Sequence, residues 1–293
     1  MDEKRFYKVG GHVFSVEAVG VRLPQAGNYG PFCVAPCEDS LFSLAVETGG
    51  NVPAFVEETR QEDEGQVIVC GRTESRLPVF VFYLCDMFVG ALSCSADYRS
   101  ALLSLSDGGS ARNVRFALDN SLMVLYSLAT AKLGTALFHA AAVSYGGRGY
   151  LFLGKSGTGK STHARLWLEN IGGADLLNDD NPVVRFFEDA DGRRYAKVYG
   201  SPWSGKTPCY KNEEMEVGGL VLLSQAPFNR IVPLKSVAAY AAILPCISGM
   251  RWDREIADGI HRTENALAEN VPVWFLECLP DGEAARLCCG TVA

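Results

Sequence analysis

The most constraining feature of this sequence is the eight-residue stretch GKSGTGKS at residues 154–161, which we call the glycine loop. It matches the pattern G-x-x-x-x-G-K-[ST] in full, with an apolar strand-like run before it and a helix-like run after it. Glycines let the backbone turn its amides inward, and the N-terminus of a helix favours negative charge. The motif therefore predicts a strand, a phosphate-binding loop and a helix, and hence nucleotide binding.

Particular positions of this loop are expected to contact the phosphates of ATP and the accompanying metal. Lys160 would reach the β and γ phosphates, and the hydroxyl of Ser161 would ligate Mg²⁺. The expected nucleotide-binding residues are Gly154, Lys155, Ser156, Gly157, Thr158, Gly159, Lys160, Ser161 and Thr162. The alternative, a Gly-rich turn with an exposed lysine, does not account for the flanking strand and helix. ATP and Mg²⁺ are the expected cofactors, and the choice among nucleoside triphosphates stays open.

Length and charge exclude several classes of protein. The chain has 293 residues, which favours two domains, and 27 basic against 34 acidic side chains give a net charge of −7. This balance disfavours a nucleic-acid partner. No run approaches the roughly 18 apolar residues of a membrane span, so we expect no membrane partner. The N-terminus lacks a signal-peptide pattern and the ten cysteines follow no repeated spacing, so we expect a cytoplasmic protein with reduced thiols.

The pattern of the chain changes near residue 110. Short alternating runs before it predict strands at residues 13–16, 66–70, 79–84 and 88–93. We therefore expect a small, mostly antiparallel β domain over residues 1–110 and a nucleotide-binding α/β domain over residues 111–293.

The second domain is expected to open with a helix capped by residues 119–121 and ended by Gly134. Two apolar runs around a Gly-rich turn then predict a β-hairpin whose second strand leads into the glycine loop. Later patterns predict strands at 219–223 and 273–278 and helices at 235–247 and 253–269.

A second candidate element is the acid pair, Asp179 and Asp180, at the end of an apolar step. One carboxylate would hold the metal, and the other would accept the proton of an acceptor hydroxyl. Neighbouring residues of a strand point to opposite faces, so the two cannot share one role unless the strand turns there. Asn181-Pro182 is such a turn signal. The alternative for this stretch is a solvated acidic loop.

His139 lies in an apolar run that is expected to form the first strand of the hairpin. Local sequence alone favours a buried core histidine. Antiparallel pairing would instead bring His139 towards the end of the neighbouring strand where the glycine loop begins. The hairpin therefore makes His139 a candidate active-site residue.

The stretch at residues 200–211 is rich in glycine, proline and hydroxyl groups and is predicted to connect two strands. Such loops often grip acceptors, although a structural connector with a buried Trp203 is the alternative. Lys206 and Arg230 are the candidate cations of a substrate or phosphate clamp.

The elements around the glycine loop form a distinctive series. In order, they are a histidine-bearing strand, a glycine turn, a second strand, the glycine loop and a strand that ends in Asp-Asp. The series resembles the HPr kinase/phosphorylase-like group of the PEP-carboxykinase-type P-loop fold, over residues 137–223. The resemblance implies an α/β domain with a mixed sheet and a metal-dependent kinase. Its implied catalytic residues are Asp180, Asp179, His139 and Lys160. By position Asp180 would be the base and Asp179 the metal ligand beside Ser161, whereas the carboxykinase branch favours the opposite allocation.

The chain departs from that family's pattern at two points. Ala140 stands where HPr kinases have a glycine after the histidine, and their later signature loop has no recognisable counterpart. The acceptor hydroxyl is therefore left open among a protein, a peptide and a small molecule. A PEP-carboxykinase-like enzyme and a non-catalytic, nucleotide-responsive binding module are the alternatives, and association into a homo-oligomer also stays open.

Overall fold

The computed structural model of the chain describes residues 3–21, 23 and 27–293. The chain divides into two compact units, the first ending at Ala129 and the second beginning at Thr130. Each unit contains a mixed β-sheet, and the helices are few. The α/β class expected from the sequence is confirmed at this level.

The first unit is built on a sheet in the order β3-β1-β2-β4-β9-β8-β7-β6-β5. Its strands are β1 (Glu3–Val9), β2 (His12–Ala18), β3 (Cys33–Val34), β4 (Phe42–Thr48), β5 (Val56–Asp63), β6 (Gln66–Arg72), β7 (Pro78–Leu84), β8 (Met87–Cys94) and β9 (Ser100–Leu105). The pairs β2–β4 and β4–β9 are parallel, and the remaining neighbours are antiparallel. A short 3-10 helix, Gly30–Phe32, precedes β3.

Helix α1 (Ala111–Thr130) falls with the first unit, whereas the sequence pattern predicts it as the opening of the second domain. The hydroxyl of Tyr126 donates to the carbonyl oxygen of Val9 at 3.0 Å, which joins α1 to the sheet. The predicted start of this helix at 119–121 is wrong. Ser110 is the effective cap, because its Oγ accepts from the N–H of Asn113 at 3.2 Å. Gly134 also lies beyond the end of the helix, in the turn before the next strand.

The second unit has a sheet in the order β10-β14-β15-β16-β12-β11-β13, and β18 pairs with both β16 and β17. Its strands are β10 (Thr135–Leu137), β11 (Ala140–Tyr145), β12 (Arg148–Leu153), β13 (Asp175–Asp180), β14 (Val183–Glu188), β15 (Arg194–Tyr199), β16 (Glu214–Gln225), β17 (Arg230–Leu234) and β18 (Val273–Cys278). The predicted hairpin is confirmed, since β11 and β12 pair antiparallel around the turn at 146–147. The pairs β12–β16 and β16–β18 are parallel.

Helices pack against this second sheet. They are α2 (Lys160–Asn170), α3 (Val237–Ile243), α4 (Arg254–Asn270) and α5 (Gly282–Val292), with a 3-10 turn, Leu244–Cys246, after α3. Helix α2 follows the glycine loop as predicted, and α4 begins after the cap Asp253 close to its predicted start. Helix α5 was not predicted. Trp167 of α2 is fully buried, with its ring 5.5 Å from that of Phe152, and anchors the core beneath α2.

The ten cysteines are free thiols in this structure. Burial raises the pKa of Cys246 and Cys288, two thiols expected to serve packing. Within residues 3–21, 23 and 27–293, no helix has both the length and the apolar character needed to cross a membrane.

Candidate active site

The glycine loop leaves the end of β12 and closes on itself before α2 begins. Gly154 has φ +148° and Gly159 has φ +107°, backbone conformations that residues with a side chain rarely adopt. A Cβ at Gly154 would lie 3.1 Å from the side chain of Thr158. The hydroxyl of Thr158 donates to the carbonyl oxygen of Lys155 at 2.7 Å, and the loop thereby forms a compact turn at the helix N-terminus.

Lys160, the first residue of α2, is buried and lies over this loop. Its Nζ donates to the carbonyl oxygens of Gly154 at 3.0 Å and Lys155 at 3.3 Å. Burial lowers the pKa of Lys160, and the negative charges of Asp180 and Asp179 oppose that shift. The ammonium group therefore lies within electrostatic reach of the acid pair.

The remaining loop positions are open to solvent to different degrees. Lys155, Ser156 and Gly157 are exposed, as is Ser161, whereas Thr162 is half-buried. Ser161 and Thr162 stand in the first turn of α2, where backbone N–H groups lack partners within the helix. These positions are the ones that a bound anion would approach.

Asp180 is the last residue of β13 and lies opposite Ala140 of β11. Its Oδ1 is 3.4 Å from Nε2 of His139, and its Oδ2 accepts from Nδ2 of Asn181 at 2.7 Å. Its φ of +152° is a strained backbone conformation for a residue with a side chain, and such strain is concentrated at functional sites. Burial raises the pKa of Asp180, although the charges of His139 and Lys160 act to lower it.

Asp179 differs from its neighbour in both burial and partners. It is 2% exposed, and its Oδ2 accepts from the backbone N–H of Thr207 at 3.2 Å. Its Oδ1 is buried and has no hydrogen-bond partner among the described residues. A buried carboxylate oxygen without a donor is costly unless a cation or donor binds it. The two acids therefore hold different environments, as expected if the strand turns at this point.

The oxygen atoms at this site suit Mg²⁺ better than a softer metal. The Oδ1 of Asp179 and the hydroxyl of Ser161 are hard donors, and Mg²⁺ in nucleotide sites takes one or two carboxylates with phosphate oxygens and waters. No group of three or more His, Cys, Asp or Glu side chains in the described part of the chain could hold a metal ion by itself. A magnesium ion here would accordingly need further ligands from a bound molecule or water.

His139 lies between β10 and β11, so its predicted position inside a strand of the hairpin is wrong. Its backbone N–H donates to the carbonyl oxygen of Cys246 at 2.7 Å, and Phe138 beside it forms a bridge with Ile247. Its side chain is 47% exposed, so the buried core histidine favoured by local sequence is wrong as well. The break after β10 turns the imidazole towards Asp180.

The loop at residues 200–211 connects β15 to β16, as predicted, and packs on the acid pair. Asn178 of β13 donates from Nδ2 to the hydroxyl of Ser201 at 3.2 Å and to the carbonyl oxygen of Trp203 at 3.1 Å. The N–H of Gly205 donates to the carbonyl oxygen of Asp179 at 2.5 Å. Trp203 is buried, as the connector alternative expects, and yet the loop also contacts the candidate site.

The two candidate clamp cations occupy different places. Lys206 is exposed and stands between Gly205 and Thr207, whose N–H groups both donate to Asp179. Arg230 begins β17, where its Nη1 is 4.0 Å from Oε2 of Glu277. Strand β17 lies three strand spacings from β12, or about 14 Å across the sheet. Only Lys206 is thus carried on a loop that contacts the acid pair.

Two contacts of the candidate site, one at the glycine loop and one at the acid pair, carry no signal in the sequence. Gln225, at the end of β16, donates from Nε2 to the carbonyl oxygen of Gly157 at 3.1 Å. Thr207 supplies the backbone donor to Asp179. Neither carries a local sequence signal, since the first contact joins residues 68 apart and the second joins residues 28 apart. Only the parallel pairing of β12 with β16 would have indicated Gln225.

Comparison with known proteins adds no family to this description. No protein-family model matches the chain, and no curated protein matches it.

Proposed function

We propose that the second unit is an ATP- and Mg²⁺-dependent phosphotransferase of the HPr-kinase-like type, which phosphorylates a hydroxyl group. The observation that carries the proposal is the placement of Asp180. Its backbone is strained and the pKa of its carboxyl group is raised. Its Oδ1 lies 3.4 Å from Nε2 of His139, and its charge acts on Lys160 of the glycine loop. Perturbed titratable groups beside an anion-binding loop are typical of active sites.

The glycine loop would hold the phosphates of ATP. Its turn and the first turn of α2 present backbone N–H groups to an anion. The ammonium of Lys160 bonds carbonyl oxygens of its own loop, and a phosphate oxygen offers it a stronger, charged acceptor. Lys160 would therefore leave these carbonyls for the β and γ phosphates as ATP binds.

Asp180 would accept the proton of the acceptor hydroxyl as the oxygen attacks the γ-phosphorus. A carboxylate with a raised pKa is a stronger base than an exposed one. His139 contacts the same carboxylate through Nε2 and would keep it oriented. Positioning and charge neutralisation, rather than covalent chemistry, dominate this class of reaction.

Asp179 and Ser161 would hold the magnesium ion. When bound, Mg²⁺ neutralises charge on the β and γ phosphates. The buried Oδ1 of Asp179 supports this assignment, because a cation would satisfy an oxygen that otherwise has no partner among the described residues. The 200–211 loop supports it further, since the N–H of Thr207 fixes the other oxygen of the same carboxylate.

The same features support the finer fold assignment to the PEP-carboxykinase/HPr-kinase-like P-loop group. A hairpin leads into the glycine loop, and the acid-tipped strand β13 pairs with the other strand of that hairpin. This arrangement agrees with the series of elements on which the resemblance rests.

Incubation with γ-labelled ATP, Mg²⁺ and a panel of hydroxyl acceptors tests the proposal. The panel contains free serine, serine and threonine peptides and cell extract, and oxaloacetate is added as the carboxykinase arm. We expect the natural chain to form a labelled phosphate ester of an acceptor hydroxyl, and we expect Asp180→Asn not to form it. ATP that binds but stays intact with every acceptor would contradict the proposal, and nucleotide turnover only with oxaloacetate would favour the carboxykinase alternative.

A further inference from the structure

A cavity of about 550 Å³ lies beside the glycine loop, on the side away from the acid pair. Its walls are residues 157–159 of the loop, the α2 side chains Thr162, His163 and Leu166, and the ends of β16 and β18. In the sheet, β16 and β18 lie on one side of β12, whereas β11 and β13, which carries Asp179 and Asp180, lie on the other. The loop thus stands between a cavity and the candidate catalytic side chains.

The lining of the cavity is mostly apolar, and His163 is its unusual member. The side chain is 3% exposed, and burial lowers the pKa of His163 to about 4, so the imidazole is neutral near pH 7. The indole Nε1 of Trp167, which can only donate, gives its hydrogen bond to Nε2 of His163 at 3.2 Å. Nε2 is therefore the acceptor nitrogen, and the proton of the ring is on Nδ1.

The Nδ1–H of His163 is consequently a buried donor without an acceptor among the described residues. Leaving such a donor unpaired is unfavourable, and a ligand that brings an acceptor recovers the lost hydrogen bond. Phe152 holds the ring edge-on at 4.7 Å between centroids, so the imidazole is fixed by packing on one side and by Trp167 on another.

Gln225 adds a second oriented polar group at the mouth of the same cavity. Its Nε2 donates to the carbonyl oxygen of Gly157, and this bond fixes which end of the amide is the acceptor. The carbonyl oxygen of Gln225 is therefore available to accept from an amino group or a sugar hydroxyl. A small apolar cavity with a few oriented polar groups is typical of small-molecule sites of about 300–1,000 Å³.

We propose that this cavity binds the adenosine part of the nucleotide whose phosphates occupy the glycine loop. The inference rests on the proposed nucleotide function and extends it to the identity of the base. Phosphate binding at residues 157–162 would place the nucleoside in this cavity, because residues 157–159 and Thr162 line both sites. The nucleoside then enters from the β18 side, and the terminal phosphate points to the acid pair on the β13 side.

The polar groups of the cavity favour adenine over guanine. On a bound base, the Nδ1–H of His163 would donate to a ring nitrogen and the carbonyl oxygen of Gln225 would accept from an amino group, which is the combination that the polar edge of adenine offers. Guanine would bury a further exocyclic group in the apolar lining without a matched partner. We therefore expect ATP to bind at least about tenfold more tightly than GTP.

Calorimetric titration with Mg-ATP, Mg-GTP and Mg-tripolyphosphate tests this inference on the full chain. Tripolyphosphate has the phosphates but no nucleoside, so it measures the glycine loop alone. We expect the natural chain to prefer ATP to tripolyphosphate. Equal affinity for the two would overturn the cavity proposal and leave the phosphate site standing, and no binding of either would overturn the proposed nucleotide function itself.

Two variants locate the nucleoside. Ala226→Trp fills the cavity from the end of β16 and is expected to reduce ATP affinity by at least about thirtyfold with tripolyphosphate affinity unchanged. His163→Phe keeps a ring against Phe152, removes Nδ1–H and is expected to weaken ATP by about tenfold. Ala268→Trp, which lies in a different cavity of this unit, is the matched control and should change neither ligand.

Retention of tripolyphosphate binding shows that each variant is folded at the loop. A preference for ATP that survives both Ala226→Trp and His163→Phe would place the nucleoside elsewhere and overturn the proposal. Equal affinity for ATP and GTP in the natural chain would overturn the assignment to adenine.

Discussion

The two sides of the glycine loop are built from opposite kinds of side chain. On the β13 side, the ionisable groups Asp179 and Asp180 lie within electrostatic reach of Lys160, and Asp180 has both a strained backbone and a raised pKa. On the β18 side, the cavity is mostly apolar and its histidine is neutral. Burial thus has two different effects around one loop. It raises the pKa of Asp180 where chemistry is proposed, and it keeps His163 neutral where recognition is proposed.

Asp180→Asn is the change expected to separate the two sides most strongly. The amide keeps the size of the side chain and loses the base, so phosphoryl transfer should fall by on the order of a hundredfold to ten thousandfold while ATP affinity is retained. Label transfer and calorimetry measure the two effects. Asp191→Asn, in the exposed turn after β14, is the matched control. Transfer that survives Asp180→Asn would move the base to another residue.

Lys160→Ala sharpens the comparison because Lys160 belongs to the glycine loop itself, which stands between the two sides. The variant loses a charged contact to phosphate, which we expect to weaken ATP binding or turnover by about 2–4 kcal/mol. Tripolyphosphate should weaken in parallel, since the contact does not involve the nucleoside. Lys197→Ala, at a half-buried lysine of β15 paired with Glu214, is the control. Unchanged ATP kinetics in Lys160→Ala would refute the role of this lysine.

Gly205→Ala tests whether the 200–211 loop supports the β13 side alone. A Cβ at this position would lie 2.7 Å from the carbonyl oxygen of Asp179 and 3.0 Å from Cβ of Asp180. The loop or the acid pair must shift, at an expected cost of about 1–3 kcal/mol in the free energy of unfolding. The midpoint temperature of thermal unfolding and the rate of label transfer should both fall, while nucleotide affinity changes little.

Gly290→Ala is the matched control for that substitution. Its Cβ would meet no atom within 4 Å, and it lies in helix α5. Stability should stay the same or rise by about 0.5–1 kcal/mol, because alanine is the better helix former. A Gly205→Ala variant as stable and active as Gly290→Ala would mean that the loop does not position the acids.

The smallest expected effect is a shift in pH dependence on the β13 side. Burial raises the pKa of Asp180, so loss of transfer on acidification should begin above the usual carboxyl range of about 4. The charge of His139 opposes the rise, and His139→Gln should therefore move this acidic limb to higher pH. The profile of transfer rate against pH measures both. If the acidic limb of the pH profile does not move in His139→Gln, the charge of His139 does not affect the pKa of Asp180.

Parts of the candidate site were predictable because their signals are local. Gly154, Lys160 and Ser161 belong to one short pattern, and the acid pair ends an apolar step before a turn signal. The hairpin was likewise marked by two apolar runs around adjacent glycines. The predicted start of α1 is wrong because residues 119–121 all carry side chains that can cap a helix, whereas the cap is Ser110, nine residues before that stretch begins.

The rest of the site depends on contacts between distant parts of the chain. The exposure of His139 follows from a bridge between Phe138 and Ile247, which interrupts the run of strand residues. The cavity forms because β16 and β18 extend beyond the glycine loop in parallel register. No local pattern encodes either pairing, so the environment of His163 could not be derived from sequence.

A crystal structure with Mg²⁺ and a non-hydrolysable ATP analogue tests the central claim most directly. We expect the γ-phosphate on the β13 side, with the carboxylate of Asp180 facing the position of an attacking oxygen, and the adenine in the cavity beside His163. Phosphates bound away from residues 154–161, or carboxylates of the acid pair turned away from the γ-phosphate, would contradict the account.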